Sequence, residues 1–250
     1  MANLINRLQK DLPRGAPFGS ETLHGLGISN DLANQYVRSG WLIRLGRGVF
    51  MHAGDGLDLN ATLAFLETRF EGLHVAAKSA LARHGYRQNL TPSERLILWG
   101  PAKAELPDWF TERFPVRFNR TRLFSDAAEP RKGLVSLPEL PNGPRVAEPE
   151  LALLEMLSEV GVHQEMEEAR AIFESMRQIR SKRLMHWLGR CRQVKAVRLC
   201  AYLATELNLP WAEKVVGEIP ADMLRHRWVS RLKDGTTMIL PAMASGEGHE

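Results

Sequence analysis

Ser29-Asn30-Asp31-Leu32-Ala33-Asn34-Gln35-Tyr36-Val37-Arg38-Ser39-Gly40-Trp41-Leu42-Ile43-Arg44-Leu45-Gly46-Arg47-Gly48-Val49-Phe50-Met51 divides into a capped amphipathic helix and a cation-tipped hairpin. A serine hydroxyl can accept a free N–H of a first helical turn, and glycine suits the left-handed position just past a last turn. Ser29 and Gly40 therefore bracket a predicted helix from Asn30 to about Ser39. Leu32, Ala33, Tyr36 and Val37 share the side that would pack, while Asn30, Asp31, Asn34, Gln35 and Arg38 point away. Trp41 to Met51 reads as two short β-rich strands around a Gly46-Arg47-Gly48 tip.

Working upstream, Leu4, Ile5, Leu8 and Leu12 fall at helical spacing, and Pro13, Gly15 and Pro17 end that helix. Ser20 is expected to cap a short helix, Glu21 to Leu26, stopped by Gly27. Two short helices joined by a tight glycine turn make a helix-turn-helix. Its second helix enters the major groove, where Asn and Gln pair with adenine and Arg with guanine. The hairpin then acts as a wing, bringing Arg44 and Arg47 to phosphates or the minor groove. The expected DNA-binding set is Ser29, Asn30, Asn34, Gln35, Arg38, Arg44 and Arg47. Any one of these residues also suits a merely solvated helix face or a packed hairpin. Their ordered combination points to double-stranded DNA.

Downstream, Asp55-Gly56-Leu57-Asp58 reads as a linker. Leu59, Thr62, Leu63, Leu66 and Phe70 then form a helical stripe. A short strand is expected before a helix ending at His84-Gly85. Further strands are expected at Leu96 to Trp99, Val116 to Asn119 and Gly133 to Leu137. From Pro149 the pattern turns helical, with apolar stripes at Leu151, Leu154 and Leu157, at Ala169, Ile172, Phe173 and Met176, at Leu184, Trp187 and Leu188, and at Val197, Leu199, Tyr202 and Leu203. Trp228 to Leu232 and Thr237 to Leu240 flank Lys233-Asp234-Gly235, a hairpin signal, and 244–250 reads as a frayed tail. The expected fold class is α+β. A winged helix-turn-helix over 1–55 is followed by a larger mixed α/β domain over 56–250, α/β over 56–147 and mainly helical with a terminal hairpin over 148–250.

The 250 residues are 44% hydrophobic and 25% charged, with a formal net charge of +4. These values suit a globular chain with a polyanionic partner. No run approaches the roughly 18 apolar residues of a membrane span, and the N-terminus lacks a signal-peptide core. A cytoplasmic protein with no membrane partner is the expectation. Cys191 and Cys200 fit no zinc spacing and read as buried free thiols. Arg177, Arg180, Lys182, Arg183, Arg190, Arg192, Lys195 and Arg198 form a dense basic run. From Arg180 onward it is a candidate second basic surface, for DNA or for a partner, against the alternative of a solvated helical face.

Stretches in three regions of the chain carry a resemblance. Leu23-His24-Gly25-Leu26-Gly27-Ile28-Ser29, with Val37 to Leu42 and Leu45 to Phe50, resembles the N-terminal domain of AbiEi-type antitoxins. Ala77-Lys78-Ser79-Ala80-Leu81-Ala82-Arg83-His84-Gly85 and Leu96-Ile97-Leu98-Trp99-Gly100 are similar to that family's middle segment. Arg145 to Glu155 resembles the start of its helical C-terminal part. The departure is Phe50, where tyrosine is common. The resemblance implies the antitoxin of a type IV toxin–antitoxin, or abortive-infection, pair. Its N-terminal domain would repress its own operon through promoter inverted repeats, and its C-terminal domain would counter a toxin of nucleotidyltransferase fold.

Two other readings stand beside that one. The first is a winged-helix regulator whose C-terminal part senses a ligand or dimerises. The second is a DNA-targeted metal-dependent nuclease, for which Glu139, Glu148 and Glu150 would be the carboxylates. The nuclease reading lacks the matching Asp and Glu-x-Lys pattern. The histidines, such as His74, His84, His163 and His186, show no metal-ligand spacing, and neither a nucleophile elbow nor a phosphate-binding loop is present. The sequence signals no metal, no cofactor and no enzyme.

Overall fold

The computed structural model describes residues 2–86, 95–125, 129–231, 235 and 237–243. Its first elements are α1 (Ala2–Asp11), β1 (Phe18–Gly19), α2 (Ser20–Gly25), α3 (Asn30–Arg38), β2 (Leu42–Gly46) and β3 (Val49–His52). Both caps of α3 form as their chemistry dictates. Ser29 Oγ accepts the Leu32 N–H at 3.2 Å. Gly40, at φ +75°, donates to Val37 O, while the Trp41 N–H reaches back to Tyr36 O at 2.9 Å. That pair of bonds closes the helix with a Schellman motif. Leu8, Leu12, Phe18, Leu23, Ile28, Ala33, Tyr36, Leu42 and Phe50 form one small core beneath these elements.

Two details differ from expectation. Ser20 does not cap α2 but is its first residue, and its N–H donates to Gly48 O at 2.9 Å, joining α2 to the turn of the β2–β3 hairpin. Gly48 has φ +68°, and a Cβ there would lie 3.0 Å from Ser20 Oγ, so the turn needs glycine on both counts. In addition, Phe18 and Gly19 form β1, which pairs with β3 so that the sheet order is β1-β3-β2, antiparallel throughout.

The expected linker is bound at both ends rather than loose. Arg14 pairs with Asp55 at 2.6 Å, the Gly15 N–H donates to the same carboxylate at 2.9 Å, and the Asp58 N–H donates to Gly15 O at 2.7 Å. Asp58 Oδ1 then caps the next helix, α4 (Leu59–Arg69), by accepting from the Ala61 N–H. Arg69 at the other end of α4 pairs with Glu21 of α2.

Beyond α4 come β4 (His74–Val75), α5 (Ala77–Arg83), β5 (Leu96–Trp99), α6 (Asp108–Thr111), β6 (Val116–Asn119), β7 (Leu134–Val135) and β8 (Val146–Ala147). The five strands make one mixed sheet in the order β6-β5-β4-β8-β7. Its β5–β6 and β4–β8 pairs are parallel, and its β4–β5 and β7–β8 pairs antiparallel. Trp109 of α6 rests against Gly46 of the β2–β3 hairpin, where a Cβ would come 3.2 Å from its ring. Val49 also belongs to the large core, so the β2–β3 hairpin packs on the second half of the molecule as well as the first.

The remaining elements are α7 (Pro149–Glu159), α8 (Met166–Ser175), α9 (Ser181–Leu188), α10 (Val194–Glu206), α11 (Ala212–Val216), α12 (Ala221–Leu224) and a final hairpin, β9 (Trp228–Arg231) with β10 (Thr237–Leu240). Leu232, expected to end the first of these strands, and Lys233 and Asp234, expected in the turn, lie outside the described residues, as does the expected tail at 244–250. Among the described residues, no helix is long and apolar enough to cross a membrane. Cys191 and Cys200 are free and buried, and burial pushes the Cys191 thiol up to about 11.

The centre of the larger core is α7. Pro149 starts it where a missing N–H costs nothing, and every residue from Glu150 to Glu159 is buried. Three buried carboxylates on α7, and Glu148 just before it, each have partners. Glu148 accepts from Arg180, Arg183 and the Trp187 Nε1–H, the last at 2.7 Å. Glu150 accepts from the backbone and side chain of Arg180. Glu155 accepts from His74 at 2.9 Å and from the Ala77 N–H at 3.0 Å. Glu159 accepts from Arg117 and from Asn119. Buried charge is tolerated when paired and hydrogen-bonded in this way.

Gly133, just before β7, closes the same region. A Cβ there would stand 2.6 Å from the Trp187 ring and 2.9 Å from Leu151. Gly133→Ala is expected to destabilise by about 1–3 kcal/mol through overpacking. Urea unfolding checks this, with Gly25→Ala, whose Cβ would meet nothing within 4 Å, as the reference.

Candidate nucleic-acid interface

The residues expected to touch DNA lie on α3 and on the β2–β3 hairpin. Ser29, Asn30, Gln35, Arg38, Arg44 and Arg47 are exposed, and Asn34 is half-buried. Ser29 is occupied as the helix cap. Asn30 shares a 3.0 Å hydrogen bond with the imidazole of His24 on α2, which braces the turn between the two helices. Asn34 accepts from the guanidinium of Arg44, and that guanidinium lies 5.0 Å from the centre of the Phe50 ring. Helix α3 and the β2–β3 hairpin are therefore joined side chain to side chain on their outer surface. Gln35 and Arg38 stand at successive outward positions of α3, and Arg47 sits at the hairpin turn.

Sequence reasoning missed the bracing roles of His24 and Asn34, because neither pairing partner lies within a helical turn. It also gave no role to Trp41 and Ile43, which are exposed apolar side chains beside this surface. Both precede Arg44 in the quoted stretch, so alternation along the strand was the available signal.

One family description spans nearly the whole chain in two consecutive parts. The model for the N-terminal domain of the AbiEi antitoxin, a transcriptional regulator, matches residues 1–92. The model for the AbiEi antitoxin transcriptional regulator of type IV toxin–antitoxin systems matches residues 93–238. The chain belongs to the AbiEi antitoxin family. No curated protein matches this AbiEi chain. Among solved structures, the RV2827C protein from Mycobacterium tuberculosis is similar to it in fold, with a TM-score of 0.60 at 20% identity over 87% of this chain and 80% of that one.

In this AbiEi protein part of the basic run after α8 is engaged by other groups of the protein, and part is exposed. Arg180, itself exposed, and the half-buried Arg183 pair with the buried Glu148 and Glu150, and the Glu150 hydrogen bond, with the charge of both carboxylates, holds the Arg180 guanidinium well above its ordinary range. Lys195 donates to Val160 O at 2.8 Å, and its burial lowers its pKa. Arg198 is buried and donates to the backbone oxygens of Met223 and His226, tying α10 to the segment around α12. Lys182, Arg190 and Arg192 remain exposed, on α9 and the turn after it. The sequence showed the density of positive charge but not the carboxylates some 30 residues earlier that neutralise it. Glu148 and Glu150, the carboxylates of the nuclease reading, are those counter-ions.

Proposed function

We propose that this AbiEi antitoxin binds duplex DNA with α3 in the major groove and the β2–β3 hairpin as a wing on the adjacent backbone. Through inverted repeats in its promoter it represses its own operon, and through its part beyond residue 55 it counters a toxin of nucleotidyltransferase fold. The observation that carries the DNA reading is the exposed row Gln35, Arg38, Arg44 and Arg47, with Asn34 bridging helix and hairpin. An amide and a guanidinium on one outward helix face suit base edges, and the hairpin cations suit phosphates. The operator and toxin assignments rest on the family to which the chain belongs.

Two measurements test the reading. Gln35→Ala is expected to cost about 1–3 kcal/mol on promoter DNA and little on random DNA, as loss of a base contact does. Equal loss on both, in a fluorescence-anisotropy titration, would remove Gln35 from the base-reading set. For the antitoxin role, the gene beside this one is induced with and without the full chain, and growth is scored. Toxicity relieved by the chain supports the assignment. Toxicity that the chain leaves untouched overturns it.

A further inference from the structure

A cleft of about 220 Å³ opens at the end of the mixed sheet where β5 and β6, a parallel pair, present their C-terminal ends. Ligands in α/β sheets bind in crevices outside such strand ends. The inner wall is apolar, formed by Trp99, Leu123 and Phe124, all buried. Trp99 is fixed in place by its Nε1–H, which donates to Thr121 O at 2.9 Å. On the cleft floor His74 and Glu155 are already committed to each other and to Gly72 O and the Ala77 N–H, so their charges cancel.

The mouth is different. Arg120, Arg122 and Arg131 converge on it from the loop after β6 and a 3-10 turn, and all three are exposed. Among the described residues each guanidinium makes one hydrogen bond: Arg120 to Ala104 O at 3.4 Å, Arg122 to Ser125 O at 2.6 Å, and Arg131 to Glu71. A guanidinium carries five donors in a planar fork, so the bonds made among the described residues use only part of each one's capacity. Among the described residues that line the cleft the carboxylates are Glu71 and Glu155, and Glu155 is already paired with His74.

We infer that this cleft binds a small phosphate monoester, its phosphate held by Arg120, Arg122 and Arg131 and its apolar part laid against Trp99 and Phe124. The cleft is too narrow for a duplex and too apolar inside for a bare ion to fill. This site is separate from α3 and the β2–β3 hairpin, so it stands or falls independently of the DNA reading. It also supplies a specific basis for ligand sensing by the second half of the molecule.

The test is calorimetric titration of the full chain with adenosine 5′-monophosphate, ribose 5-phosphate, inorganic phosphate and adenosine. The expected result is saturable binding of the phosphate monoesters, weaker binding of inorganic phosphate and none of adenosine. Arg120→Gln and Arg122→Gln are each expected to weaken binding roughly tenfold to a hundredfold, as loss of a charge-assisted hydrogen bond does. Lys214→Gln, exposed on α11, leaves it unchanged. Both arginines are exposed, and unaltered circular dichroism and melting temperature of the variants separate lost contact from lost fold. No saturable binding at millimolar ligand, or binding that ignores both substitutions, overturns the proposal. So does a short single-stranded oligonucleotide that binds more tightly than the monoesters and is lost in the same variants.

Discussion

Glu155→Ala lowers the unfolding free energy by about 3–5 kcal/mol, because it strands a buried imidazolium without its counter-ion. In a chain of this length the expected fall in melting temperature is roughly 6–20 °C. The geometry favours the charged imidazole. His74 Nδ1 faces Gly72 O at 2.8 Å and Nε2 faces the Glu155 carboxylate, two acceptors that each require an N–H. Burial alone would drive the imidazole pKa down, but the Glu155 charge and hydrogen bond, with the Gly72 carbonyl, carry it above its ordinary value. A histidine raised in the folded state stabilises fully below its unfolded pKa of about 6.5 and loses that contribution as pH rises through the folded pKa. The stability gap between wild type and Glu155→Ala should therefore be widest below neutral pH and shrink in alkali. Urea unfolding across that range checks it, and a gap independent of pH would mean that His74 is not the charged partner. Glu155→Gln retains an acceptor for Ala77, whose φ of +48° is a strained conformation for a residue with a Cβ, and is expected to lose less.

Replacing Arg44 and Arg47 together by alanine should weaken promoter binding roughly a hundredfold or more at low salt. It should also flatten the dependence of log affinity on log salt by about two units, one near 0.9 for each phosphate contact. The single variants divide the effect. Arg47, at the tip, is expected to act on all DNA alike. Arg44 also holds Asn34 in place, so its loss releases a side chain of α3 and relaxes base preference as well as affinity. Electrophoretic mobility shifts on promoter and scrambled duplexes, each at several salt concentrations, read both quantities. Unchanged salt slopes in the double variant would take the hairpin off the phosphate backbone.

The α3–hairpin unit was legible because its signals are local. A serine and a glycine one helix apart, and cations at a glycine turn, state their roles without help from distant residues. Strands β4 and β8, with two residues each, and helices α6, α11 and α12, at most five residues long, carry too little periodicity to be read: β4 was expected without bounds, and β8, α6, α11 and α12 went unread. β1 hid in a proline-rich turn and exists because Phe18 finds Phe50 across the sheet. Ser20 looked like a cap by composition, yet its N–H is used by a residue 28 positions later. The candidate interface suffered the same limit in reverse. Exposure and residue type named its members, while the pairings of Asn30 with His24 and Asn34 with Arg44 depend on where separate elements meet.

The bonded seam at Asp55 and Asp58, with Trp109 under Gly46, has a mechanical consequence. A DNA-reading head on a slack tether swivels, so two coupled copies would accept a range of separations between their target sequences. Here the head is bolted to the body on two sides. Two copies gripping each other through the body would accept one separation, within the give of the side chains, and an inserted base pair would rotate the second target out of reach. In such a pair the seam would act as a ruler, and shaving Trp109 to alanine would loosen its markings without touching a residue proposed to meet the DNA.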